Sequence, residues 1–293
     1  MKKIILSMFL LLGALFLVGC KSSEVDLESK ESVFAISAVT GVNETINNIT
    51  EENPVIDENE KIPVEESNDD NVNEGENVDL PNEDQDNLEF VLNLINKELL
   101  KVEEKESDKT DYTNLLEITF NNETYKFYFN EILIEEEIED DEIEKEYEIK
   151  GIIIYNEEEF SVVGNKEIEI EEDEEDFEIE LLISLDKDNY TKVKYETETE
   201  SDEYEKKYKI ETYENSNKIN EFEFEFEIEE NKLKVDAEFK SKDKNVWYKI
   251  RGNNKNSQAN VIYHSHENGV KTKQIFKVRV IIEDNNVRFE YLK

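Results

Sequence analysis

Residues 221–229 read Glu-Phe-Glu-Phe-Glu-Phe-Glu-Ile-Glu, an unbroken alternation of carboxylate and apolar side chain. Successive side chains of a strand point to opposite faces, so as a strand this run has one apolar and one anionic face; as a helix it has neither. The same period of two runs through Phe177, Ile179, Leu181, Ile183 and Leu185, and more loosely through Tyr204, Tyr208 and Ile210. From Leu115 onward the pattern is punctuated by turn-forming clusters at 121–123, 140–141, 173–176, 186–189, 214–217, 230–231, 252–256, 268–269 and 284–286. Asn268-Gly269 is the one strong two-residue hairpin signal, because a type I′ turn needs positive φ at both central positions. Cutting at the turns gives about thirteen strands. Short links imply antiparallel neighbours, and no helix-length run interrupts the series, so the topology reads as a meander.

Ahead of the strands, Leu88, Val91, Leu92, Ile95, Leu99 and Val102 recur at helical spacing. They predict one amphipathic helix over 87–105, capped by Asp86 or Asn87. The expected fold over 87–293 is therefore all-β with one helix. It is a long antiparallel β-meander of about thirteen strands, curled into a barrel, a half-barrel or a two-layer sheet around that helix. A curl this wide leaves an apolar lining to be filled by the helix, by its own collapsing walls, or by a ligand.

Charge narrows the functional classes. The chain carries 76 Asp and Glu against 34 Lys and Arg, a net charge of −42, which repels nucleic acid over most of its surface. The asymmetry is marked: from Lys232 onward there are fourteen Lys and Arg but only seven Asp and Glu, including Lys271, Lys273, Lys277, Arg279 and Arg288. Opposite charges on neighbouring strands attract, so the favoured reading is that these basic strands neutralise acidic ones where the sheet closes on itself. The other reading is a basic face for anionic lipid or wall polymer.

The candidate chemistry is sparse. His264 and His266 share a strand face but supply only two of the three or four ligands zinc requires, and they read as polar face residues. Asp186-Lys187-Asp188-Asn189 opens like a calcium loop, but Thr191 and Thr197 stand where its glycine and closing acid belong, which leaves a hairpin turn. The clusters 135–137 and 140–144 read as solvated hairpin tips that attract divalent cations diffusely at most. Trp247 and Tyr248 are adjacent, which predicts Trp247 in the core and Tyr248 at the rim. No nucleophile elbow or phosphate-cradling glycine loop is present, although paired carboxylates for glycoside hydrolysis are not excluded by composition. No catalytic residue, cofactor or metal is expected.

The N-terminal stretch says where such a chain resides. Lys2 and Lys3 precede an apolar run from Ile4 to Val18, a pattern that reads as a secretory signal and is too short to span a bilayer. It ends Leu17-Val18-Gly19-Cys20, and Cys20 is the only cysteine. This ending resembles the lipobox of bacterial lipoproteins. The resemblance implies that residues 1–19 are a signal peptide, that Cys20 is lipidated and becomes the mature N-terminus, and that two acyl chains hold the protein on the outside of the cell membrane.

Residues 20–86 then read as the lipidated cysteine and an acidic disordered tether. All three prolines fall in it, and 51–86 holds fifteen Asp and Glu against one lysine. One piece of it, 32–43, is uncharged, with Val33, Ile36, Val39 and Val42 at every third position. Its β-branched content favours a weakly structured apolar patch over a helix that docks on the domain or lies on the bilayer. The sequence thus points to a lipid-anchored extracytoplasmic, non-catalytic surface or interaction protein with a protein or cell-wall partner. The alternative is a carrier or sensor of a lipid-like ligand held inside the curled sheet.

Overall fold

The computed structural model describes residues 30–49, 80–95, 100–120, 122–138, 142–171, 174–200, 203–229, 232–253, 258–283 and 286–291. Cys20 with its leader, and residues 50–79 of the acidic stretch, lie outside the described residues.

Two helices, α1 (Lys30–Ile49) and α2 (Asn82–Ile95), precede fourteen strands. The strands are β1 (Leu100–Glu106), β2 (Asn114–Phe120), β3 (Glu123–Ile138), β4 (Ile143–Tyr155), β5 (Glu158–Ile170), β6 (Glu175–Ser184) and β7 (Tyr190–Glu200). They continue with β8 (Glu203–Glu214), β9 (Asn217–Glu229), β10 (Lys232–Ser241), β11 (Lys244–Asn253), β12 (Gln258–Glu267), β13 (Val270–Glu283) and β14 (Asn286–Tyr291). All belong to one sheet in strict sequence order, each antiparallel to the next. The meander is as expected. Among the described residues β1 and β14 do not pair, so the sheet is an open curl and not a closed barrel.

The expected alternation sets the two faces. Phe222, Phe224 and Phe226 of β9 are buried, as are Phe177, Ile179, Leu181 and Ile183 of β6, while the glutamates between them face outward. Asn268 and Gly269 both have positive φ, 49° and 81°, as a type I′ turn requires. Two further hairpins use the same geometry without glycine: Asn156 and Glu157 (50° and 70°), and Asn215 and Ser216 (49° and 63°). Asn tolerates the left-handed region, which lets it start such a turn. The turn at Asn156 is absent from the sequence reading because nothing but Asn marks it.

The largest difference from the sequence reading is α1. It lies within the stretch read as tether, yet Val33, Phe34, Ala35, Ala38, Val39 and Val42 are all buried. Ser32, Ser37, Thr40 and Thr45 are buried with them, so α1 is enclosed on almost every side. It touches β1 to β4 along one flank and β6 to β8 along the other. Eight strands laid flat would span about 34 Å, about three times the width of a helix, so only a curled sheet brings both groups to one helix. The β-branched residues that argue against an isolated helix are outweighed by this burial. Thr40 and Thr45 donate their hydroxyls to the carbonyls of Ile36 and Gly41, at 2.6 and 2.7 Å, so they enter the core with their polar groups paired. At Gly41 a Cβ would stand 2.2 Å from Ile183 Cδ1, so glycine lets the helix approach the sheet without displacing that methyl.

The expected helix over 87–105 is also corrected. It starts earlier, with the Pro81 carbonyl accepting the Gln85 N–H at 2.9 Å, so Asp86 and Asn87 lie inside it. It extends to Ile95, and Val102 belongs to β1, where it pairs with Ile118. Val102 satisfies both the helical period and the alternation of β1, which is why the stripe ran too far. Leu88, Val91 and Ile95 are buried as the stripe predicted.

Candidate interaction surfaces

With the concave side taken by helices, the chemistry faces outward, and the register sorts it into three zones. The first is acidic. Glu146, Glu167, Glu178 and Glu196 stand opposite one another across β4, β5, β6 and β7, and Glu144, Glu169, Asp176, Glu198 and Glu205 form a parallel row reaching β8. Like charges placed directly opposite repel. Between the rows lies a groove of about 290 Å³. Partial burial and the neighbouring carboxylates Glu142 and Asp176 raise the Glu169 pKa. Burial also raises Glu178, against the pull of Lys194. Lys194 relieves the crowding, reaching Glu196 at 2.6 Å and Glu178 at 3.0 Å. Glu142, Glu169 and Glu171 bring three carboxylate oxygens within 4.8 Å of one another. A calcium ion takes six to eight oxygens, so these three alone make a weak cation attractor. Clusters of consecutive acids, as at 135–137, drew attention in the sequence, but the rows form from alternate residues of several strands, which only the register brings together.

The second zone is a paired belt. The β9 glutamates lie between lysines of β8 and β10: Lys209 reaches Glu223 at 3.1 Å, Lys240 reaches Glu221 at 2.7 Å, and Lys234 contacts both Glu225 and Glu227. Glu221 is 9 % exposed; burial alone would raise its pKa, but bonds from Lys218 and Lys240 hold it down at about 2. The neutralisation expected from sheet closure is therefore done locally. Lys232, Lys234 and Lys240 do neutralise the acidic β9, but the basic β13 is not beside the acidic β4 to β7 and the sheet does not close, so only that part of the reading is corrected.

The third zone is basic. Lys249, Lys271, Lys273, Lys277 and Arg279 lie on the outer face of β11 and β13, and all are exposed. His264 sits among them, opposite Trp247 on one side and Lys273 on the other. Burial, then Lys273 and Lys249, lower its pKa. His266 faces Asn245 and Lys271, so both histidines are flanked by lysine, a poor setting for a metal ion. Arg288 lies on β14; its side chain is outside the described set.

The Trp247 and Tyr248 expectation is reversed. Tyr248 is fully buried and donates its hydroxyl to the Asp84 carbonyl at 2.6 Å, while Trp247 is half-buried on the outer face. The pattern held the answer, because Val246 and Ile250 share the parity of Tyr248, and Lys249 and Arg251 that of Trp247. Residues 186–189 form a turn as expected: Asp186 Oδ1 accepts the N–H groups of Asp188 and Asn189 at 2.8 and 2.9 Å. Those bonds lower the Asp186 pKa.

These features define a class by architecture: an open antiparallel meander filled by two helices, with its surface charge segregated by strand. No protein-family model, curated protein or solved structure matches the chain. No described helix is long and apolar enough to cross a membrane.

Proposed function

We propose that this is a lipid-anchored extracytoplasmic lipoprotein, held at the cell membrane through Cys20, which acts by presenting its charged outer face to a partner and not by catalysis. The observation that carries this reading is the filled concave side. Both helices lie in it, and the void between α1, α2 and the sheet, lined by Val33, Leu94, Tyr195, Tyr208 and Phe224, measures about 10 Å³. That is room for about one water molecule, not a lipid chain. The carrier alternative needs space where the helices are.

Two measurements test the proposal. Cys20→Ala is expected to move the protein from the membrane fraction to the soluble one, and its retention in the membrane fraction would overturn the anchor. Native mass spectrometry of the full chain in detergent should give the bare polypeptide plus its anchor. A further adduct that extracts into organic solvent would restore the carrier.

A further inference from the structure

The basic zone is distinguished by what its lysines lack. In the belt beside it Lys207, Lys209, Lys218, Lys232, Lys234 and Lys240 are each ion-paired with glutamate. On β11 and β13, Lys249, Lys271, Lys273 and Lys277 make no ion pair among the described residues. In a chain of net charge −42, four exposed unpaired cations on one face are a concentrated exception. Burial first, and then the charges of Lys273 and Lys249, lower the pKa of His264 beside them.

The strand fixes the spacing of these charges. Residues two apart on β13 share a face and stand about 6.8 Å from each other. Lys271, Lys273, Lys277 and Arg279 therefore form a straight line about 27 Å long, with Ile275 at its middle. Lys249 lies two strands away, level with Ile275. The line is two pairs of cations, about 6.8 Å apart within a pair and about 13.6 Å across Ile275, a spacing in multiples of one short repeat that fits a linear polymer carrying one anion per repeat. It does not match duplex nucleic acid, whose charges recur about every 1.7 Å of axis. Single strands are held by successive aromatic platforms, and among the described residues of this face Trp247 is the one large aromatic. An anionic membrane is repelled by the chain's net charge of −42.

We propose that the outer face of β11–β13 is a docking surface for a linear polyol phosphate chain, seated along the line of Lys271, Lys273, Lys277 and Arg279. This deepens the surface-protein reading and rests on it for access to such a polymer outside the cell. The binding is measured on purified protein, so its failure leaves the anchor standing, and failure of the anchor leaves the binding standing.

The test is calorimetric titration of the full chain, in zwitterionic detergent, with a defined glycerol phosphate oligomer. With about four cations engaged, affinity should fall roughly 50-fold between 50 and 200 mM salt. The triple variant Lys271→Gln, Lys273→Gln, Lys277→Gln should bind at least tenfold more weakly, with an unchanged melting temperature because all three side chains are exposed. The variant Lys271→Arg, Lys273→Arg, Lys277→Arg should retain binding. Absence of binding at 50 mM salt, or a glutamine variant that binds as well as the parent, would overturn the proposal. So would equal or tighter binding of an oligothymidylate of the same charge, or of anionic vesicles.

Discussion

The two helices fill one concave side and are held by different forces. Helix α1, under β1–β8, is held mainly by shape, with two uncharged side-chain bonds to the sheet, Thr45 to Thr191 and Tyr125 to Asn43, both at 2.8 Å. Its run from Ser32 to Asn43 has no charge, Gly41 lets it approach the sheet closely, and Phe34 stacks on Phe129 at 5.5 Å. Helix α2, toward β9–β14, is held by direction. Its Phe90 meets Phe222 edge-on at 5.2 Å, but the distinctive contact is Asp84, which is 1 % exposed. That carboxylate takes the Lys244 ammonium at 2.6 Å and the Tyr263 hydroxyl at 2.6 Å, while its carbonyl takes the Tyr248 hydroxyl. A helix uncharged along most of its length can be buried largely by packing, with polar groups such as those of Thr40 and Thr45 paired with its own backbone or with the sheet. A short helix with a narrower stripe gains from polar bonds that fix its position.

The comparison can be broken most severely at Phe34. Phe34→Ala leaves a cavity between α1 and β3 and is expected to cost about 4 kcal/mol. The loss should read out in urea unfolding, and a loss under 1 kcal/mol would mean that α1 is not seated as described. Asp84→Ala should cost about 3 kcal/mol, because it strands Lys244 and Tyr263 without their buried partner. Hydrogen exchange should then show α2 opening ahead of α1, and equal loosening of both would erase the distinction.

The smallest effect sharpens the polar side. Burial, then Asp84, pushes the Tyr263 pKa up to about 12. A raised folded pKa means stability that is complete below the ordinary tyrosine value near 10 and lost as pH climbs through about 12. Tyr263→Phe should cost about 1 kcal/mol at neutral pH and flatten part of that alkaline loss. An alkaline limb identical to the parent's would show that Tyr263 does not titrate as the geometry implies.

Much of the sheet was legible because a strand writes its faces into the sequence at a period of two. Residues 221–229 required a strand, and their neighbours required hairpins. The buried residues of α2 were legible for the same reason, at helical spacing, although its end was not, since Val102 fits both periods. Helix α1 was hidden because its local signals contradict its environment: β-branched residues weaken an isolated helix, and only enclosure by seven strands reverses the balance. The surfaces were half-visible. The excess of basic residues after Lys232 could be counted, but which of them find partners depends on the cross-strand register.

By itself, then, the sequence determined a long antiparallel meander with an apolar and a charged face, because alternation is a local property of each strand. The tertiary structure decided that the curl stays open and holds two helices in place of one. It also decided that Tyr248 faces inward to Asp84 and that the lysines of β13 stand apart from the acidic strands. Each of these depends on which strands become neighbours and what fills the concave side, and no single segment carries that information.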